Sequence, residues 1–179
     1  MMEIKTFAVA VYSIAGVAQA CLTLQDRNNV DVPLLLFCGW YGASYGRLSQ
    51  QQLSQATEMS QQLGAYLINP LRGARRWMKT NRLISDNSGV DASDNVTGEQ
   101  AWDSLREQIK SAELKAELLL LDALASTVIA EKCQDHPFLL QATVSDIQHN
   151  LDMLATGGDK ELLALIIAAC SDTAQLRNF

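Results

Sequence analysis

Asp31-Val32-Pro33-Leu34-Leu35-Leu36-Phe37-Cys38-Gly39-Trp40-Tyr41-Gly42-Ala43-Ser44-Tyr45-Gly46 is the stretch that decides the fold. It can be read in two ways. Asp31 can cap a helix whose first turn holds Pro33, where the missing N–H costs little. Alternatively, Val32 to Trp40 is a buried strand, and Gly42-Ala43-Ser44-Tyr45-Gly46 is the G-x-S-x-G elbow that presents a hydrolase serine. An elbow needs a parallel sheet built from alternating strands and helices, and no stretch of this chain alternates with period two beside turn chemistry. The helix reading follows. A segment apolar on every side lies inside the molecule, and the three glycines then let neighbouring helices come close.

Outward from this core helix the apolar residues recur every three to four positions. Ile4, Phe7, Ala8, Val11, Ile14 and Ala15 form one stripe, on a helix expected to start near Thr6. Val17, Ala20, Cys21 and Leu24 form a second, ending at Asn28-Asn29, where asparagine tolerates the left-handed cap. A glutamine-rich helix is expected from about Ser49 to Leu63, with Leu53, Ala56 and Leu63 inward. Asn69-Pro70 predicts a fresh helix or a kink, and the helix beyond it should reach about Leu83. Residues 85–98, rich in Ser, Asp, Asn and Gly, read as a flexible loop. The longest helix should run from Glu99 to about Lys132, its middle, Leu114 to Ile129, apolar nearly all round. Pro137 opens another helix ending at Gly157-Gly158, and Asp159 caps the last. The expected fold is all-α, a single-domain bundle of seven or eight helices spanning 1–179 around the long central apolar helix.

The chain has 179 residues, 48% apolar and 19% charged, with net charge −6. That is enough to bury a core, and the acidic balance opposes nucleic-acid binding by the whole surface. Cys21, Cys38, Cys133 and Cys170 have no paired spacing, and with only His136 and His149 no zinc set can be assembled. Scattered cysteines in apolar stretches pack as small hydrophobes and suit a reducing cytoplasm. Asp146-Ile147-Gln148-His149 lacks the second motif that a helical di-metal site requires, and Cys133 near His136 sits among acids that do not favour a thiolate. No metal and no cofactor are expected. Residues 7–18 before Ala18-Gln19-Ala20 resemble a secretion signal, but Glu3 and the helical stripe oppose that reading. No run approaches the length of a membrane span.

The most informative constellation follows Pro70. Arg72, Arg75, Arg76, Lys79 and Arg82 place five of the fourteen basic residues within eleven positions. On a helix they cover about a third of the circumference, with Leu71, Ala74, Trp77 and Met78 opposite. Such a face suits an acidic protein surface, another anionic partner or, less well, an RNA backbone. Internal pairing competes, through Asp86, Asp91, Asp94, Glu99 and Asp103, or through Glu113 and Glu117 at i, i+4 on the long helix. Arg72, Arg75 and Arg76 meeting Glu113 and Glu117 would form a partly buried ionic seam. Asp26 and Arg27 near Trp40 are a second candidate polar group, against which local pairing and capping stand as the simpler use.

Several motifs occur in the order seen in a known family. Phe7-Ala8, Val11-Tyr12, Gly16-Val17, Cys21-Leu22-Thr23-Leu24-Gln25-Asp26, Asp31-Val32, Leu34 to Phe37 and Trp40 come first. Pro70-Leu71-Arg72, Arg75-Arg76 and Lys79 follow, then Leu105-Arg106, Lys110, Ala112-Glu113-Leu114 and Ala116-Glu117. In these residues, over about 5–130, the chain resembles a family of bacterial conserved hypothetical proteins of unknown function. The resemblance implies a small, cytoplasmic, helical protein and brings no activity, substrate or catalytic residue. Pro33 departs from the asparagine usual there.

The resulting expectation is a helical binding or adaptor module using the 72–82 face on a protein or anionic partner. The candidate binding residues are Arg72, Arg75, Arg76, Lys79, Glu113, Glu117, Asp26 and Trp40, none of them catalytic. The alternative is a helical enzyme with an Arg/Glu-lined pocket for a phosphorylated or isoprenoid-like ligand, although its usual D-D-x-x-D metal signature is missing.

Overall fold

The computed structural model describes residues 2–81, 98–132, 144–154 and 159–175, with side chains of the second stretch to 127. Among these residues the chain is all-α, without a strand. The helices are α1 (Ile4–Ser13), α2 (Val17–Asn28), α3 (Val32–Tyr45), α4 (Gln50–Leu63), α5 (Asn69–Thr80), α6 (Gly98–Lys132), α7 (Val144–Asp152) and α8 (Lys160–Gln175), with a π turn over Gly64–Ile68. Arg82, Leu83, most of the expected 85–98 loop with its three aspartates, Cys133, His136, Pro137 and Gly157-Gly158 lie outside the described residues.

α3 forms as the capping residue dictates. Asp31 Oδ1 accepts the Leu34 N–H at 3.0 Å, and proline occupies the first turn. Every residue from Val32 to Ser44 is buried. At about 1.5–3 kcal/mol per large apolar side chain, this helix anchors its surroundings. Phe37, Trp40, Tyr41 and Tyr45 stack along it with ring centroids 5.3–6.2 Å apart. Ser44 is thus a buried helical residue. The glycines serve packing: a Cβ on Gly42 would lie 2.7 Å from the Ile147 Cα, and one on Gly39 2.7 Å from the Cys170 Sγ.

The described chain falls into two compact units, Met1–Ser60 with Leu118–Phe179, and Gln61–Glu117. In the first, α3 packs on α1, α2, α7 and α8, and α8 also packs on α1, α2 and α7. The C-terminal helices therefore share the core of the N-terminal ones. Leu120, Leu121 and Leu124 of α6 are buried there. The expectation of an apolar belt all round α6 is corrected at Leu114 and Leu119, which are 56% and 54% exposed. Leucines on every side do not ensure neighbours on every side.

α1 begins at Ile4, not Thr6. Glu3 is extended and gives no side-chain cap, while Ile4 is buried and the Trp40 indole donates to the Met2 carbonyl at 2.9 Å. Packing, not a cap, fixes this end. α2 closes as expected, with Asn29 left-handed at φ 53°. α4 opens on a capping box that the sequence reading overlooked: Ser49 Oγ accepts the Gln52 N–H, and Gln52 Oε1 accepts the Ser49 N–H. Among the described residues no single helix is long and apolar enough to cross a membrane. α1 and α2 reach that length only together, bent by 97°.

At Asn69-Pro70 a fresh α-helix begins, as expected, with Pro70 in its first turn, but it follows the π turn without a break in the helical backbone. Ile68 and Asn69 are both helical, and the Asn69 N–H bonds to the Gly64 carbonyl five residues back. A proline ring crowds the carbonyl four residues before it, and the wider turn absorbs that mismatch. α5 stops at Thr80 rather than Leu83, where the Trp77 carbonyl accepts the Asn81 N–H, the Asn81 side-chain amide and the Thr80 hydroxyl.

Candidate functional site

The second unit holds the constellation that the basic segment announces. Arg72 and Arg75 are one turn apart on α5, and Glu113 and Glu117 one turn apart on α6. Arg72 Nε donates to Glu113 Oε1 at 3.0 Å, and its Nη2 to Glu117 Oε1 at 2.6 Å. Arg75 Nε donates to Glu113 Oε2, and its Nη2 to Glu113 Oε1 at 3.1 Å. Glu113 therefore accepts hydrogen bonds from two guanidinium groups while only 8% of its side chain is exposed. The planar fork of arginine makes this geometry possible, and a lysine would offer only a point charge.

Burial of the Glu113 carboxyl opposes its ionisation. The hydrogen bonds and charges of Arg75 and Arg72 outweigh that penalty and hold it below the usual glutamate range. Arg75 is shifted up, by its hydrogen bond to Glu113 above all. Two cations and two anions neutralise one another, so the cluster is a locked ionic seam.

Trp77 shows why the helical wheel alone misplaces this helix. Sequence reasoning put Trp77 with Met78 on the apolar side, opposite the arginines. Instead, the buried direction of α5 bisects the two groups. Met78 is 6% exposed and faces inward beside Arg72 and Arg75, whereas Trp77 is 48% exposed. The Trp102 indole of α6 donates to the Met78 carbonyl at 3.1 Å, and its ring lies 6.0 Å from that of Trp77. Trp102 escaped the sequence reading, yet its signal was present. Trp102, Arg106, Ile109, Glu113, Ala116 and Leu120 recur at steps of three and four, and none of them is fully exposed.

The other side of α5 points outward. Asn69, Pro70, Gly73, Arg76, Trp77, Lys79 and Thr80 are all exposed. The π turn adds Tyr66, 86% exposed, and Leu67, 39% exposed. Arg76 is exposed and has a contact of its own.

Asp26 and Trp40 belong to the first unit. Trp40 is 2% exposed, with its indole N–H satisfied by Met2, so it serves the core. Asp26 is exposed, while Arg27 lies 4.0 Å from Asp159. Asp146 pairs with Arg47 at 3.1 Å. Two buried polar anchors in this unit went unpredicted. Ser60 donates to Asp31 Oδ2 at 2.7 Å, so the capping aspartate also ties α4 to α3. Asn150, fully buried on α7, accepts the Leu48 N–H at 2.8 Å and donates to the Gly46 and Cys38 carbonyls at 3.0 and 3.4 Å. It satisfies the Leu48 N–H and the Gly46 carbonyl, left over where α3 ends and the chain turns into α4, and also reaches the Cys38 carbonyl within α3.

No curated protein and no solved structure matches the chain. A family model described as "Protein of unknown function (DUF2390)" matches residues 3–124, a span that includes α1 to α5 and the whole ionic seam. The chain belongs to the DUF2390 family.

Proposed function

We propose that this protein is a small cytoplasmic helical binding module that recognises a protein partner through the outer face of α5 and the π turn before it. Single exposed apolar residues are ordinary on protein surfaces. Two large aromatics, Tyr66 and Trp77, along one face are less so, because such rings supply large contact area at little entropic cost. One observation carries the reading: Trp77 keeps about half its surface open while its neighbours Arg72 and Arg75 turn inward to Glu113 and Glu117. The ion pairs hold the inner side of α5 in place, and the outer side is left to make contacts.

The same pairing counts against an RNA-binding stripe, since two of its cations are already matched. It also counts against the enzyme alternative, because an anionic ligand would have to displace Glu113 from both arginines. Immobilised full-length protein, wild-type beside Trp77→Ala and Tyr66→Ser, tests the reading by comparing the partners each retains from source-cell extract. Both variants should fold as the wild type does, by circular dichroism and thermal midpoint, and lose the specific partner. Equal retention by all three proteins would sink the proposal.

A further inference from the structure

The outer face of α5 carries a pattern that reads almost the same from either end. Tyr66, Pro70, Gly73 and Trp77 follow at steps of four, three and four residues, and all four are exposed. At about 100° per residue, Pro70, Gly73 and Trp77 fall within about 60° of one another. Tyr66 precedes them by one turn, inside the π turn. A side chain added at Gly73 would meet nothing within 4 Å. Along this line the surface runs aromatic ring, proline ring, notch, aromatic ring.

Such an order complements itself. Two copies of the helix laid antiparallel, with a two-fold axis midway between Pro70 and Gly73, bring Trp77 of each copy onto Tyr66 of the other. Pro70 of each then enters the notch at Gly73 of the other, bump into hollow. A parallel arrangement would set Pro70 against Pro70 and leave notch facing notch. The two rings are 86% and 48% exposed, and at about 150–250 Å² per aromatic they offer on the order of 300 Å² per copy. With Leu67, Pro70 and their neighbours added, the pair of copies reaches about 1,000 Å² in all, the size of a weak specific interface.

No charged residue stands on the line itself. Arg76 projects about 90° to its side, and Lys79 about 150° away, toward the side of Arg72 and Arg75. In the antiparallel register the two Arg76 residues are offset by about 14 Å along the axis and the two Lys79 residues by about 22 Å, beyond the screening length of about 8 Å. The contact uses neither cation and sets no like charges together.

Resting on the binding reading above, we infer that the partner of this face is a second copy of the chain, paired antiparallel through Tyr66, Pro70, Gly73 and Trp77. Sedimentation equilibrium of the full-length protein is the test. Wild type should form a reversible dimer with a dissociation constant on the order of 10–100 μM, changed less than about twofold between about 50 and about 300 mM salt. Tyr66→Ser, Trp77→Ala and Gly73→Leu, which fills the notch, should each weaken it at least about tenfold while leaving the circular dichroism spectrum unchanged. Leu114→Ala, at a leucine 56% exposed on α6, should leave the dimer as it is.

A wild type that stays monomeric, a dimer indifferent to the three substitutions, one weakened equally by Leu114→Ala, or one that dissociates as salt rises overturns the inference. The binding reading survives any of these if a different protein is retained from extract by wild type and lost with Trp77→Ala. No dimer and no such protein takes down both.

Discussion

Arg75 grips Glu113 with two nitrogens, Nε on one carboxylate oxygen and Nη2 on the other, while Arg72 binds the same carboxylate from the next turn. Reversing the charge at Arg75 would set a third carboxylate against Glu113 and Glu117. Removing one partner of a well-buried pair costs about 3–5 kcal/mol, and the part-exposed Arg75 puts this seam toward the lower end. Arg75→Glu should therefore lower the urea midpoint clearly. Lys79→Glu, at an exposed position of the same helix, should change stability by no more than about 0.5 kcal/mol. Equal midpoints for the two variants would show that the seam contributes nothing. Charge reversal at Arg75 is consequently unsuitable for testing binding, although the sequence alone treats Arg75 and Arg76 as equivalent.

The same carboxylate sets an acid limb. Its folded pKa lies below the unfolded value of about 4.3 because the hydrogen bonds and charges of Arg75 and Arg72 outweigh the cost of burial. Such a group contributes stability fully above the unfolded value, and that contribution is lost as pH falls through the lowered folded value. Glu113→Gln should be less stable than wild type at neutral pH, and the gap should narrow steadily below about pH 4.3. A gap constant from pH 7 to pH 3 in urea titrations would assign the acid limb to other carboxylates.

Asn150 predicts a large loss from a small change. Asn150→Asp keeps the acceptor for the Leu48 N–H but presents a carboxylate to the Gly46 and Cys38 carbonyls, with no hydrogen to donate. Each buried group left unpaired costs about 1–3 kcal/mol, so a total near 3 kcal/mol is expected. Asn150→Leu strands the Leu48 N–H and the Gly46 carbonyl and should cost at least as much. Native-like urea midpoints for either variant would contradict the anchoring role.

How much of this was legible in the sequence depends on range. The Asp31 cap, the Asn29 stop and the burial of Val32 to Tyr41 follow from interactions within a few residues, and all are present. The pairing of Arg72 and Arg75 with Glu113 and Glu117 was legible as a possibility, because opposite charges at one-turn spacing invite it. Asn150 was not, since its partners lie about a hundred residues earlier and no local pattern marks them. Trp77 and Met78 show a different limit. Periodicity locates the apolar residues on a helix but not the direction from which the neighbouring helix approaches, and here that direction fell between Met78 and the two arginines, leaving Trp77 outside.

The buried thiols should be inert. Burial pushes Cys21 up to about 11 and Cys170 to about 12, with Cys38 higher still. At neutral pH almost none of each is thiolate, and the thiolate is the reactive form. In a Cys133→Ser background, a thiol reagent should label the native protein no faster than it unfolds, and label three thiols at once in denaturant. Fast native labelling of Cys21 would mean that α2 opens locally.

Gly42 and Gly73 give opposite predictions for the same substitution. Both are helical, and a Gly→Ala change in an unobstructed helix should stabilise by about 1 kcal/mol through backbone entropy and propensity. At Gly73 the new Cβ meets nothing within 4 Å, so Gly73→Ala should realise most of that gain. At Gly42 the Cβ would lie 2.7 Å from the Ile147 Cα and 2.8 Å from its amide nitrogen. Backbone cannot rotate away as a side chain can, so α7 must move off α3, at a cost of about 1–3 kcal/mol or more. Thermal midpoints should move up for Gly73→Ala and down for Gly42→Ala. A rise for Gly42→Ala would mean that α3 and α7 do not touch there, removing the packing explanation of the G-x-S-x-G sequence.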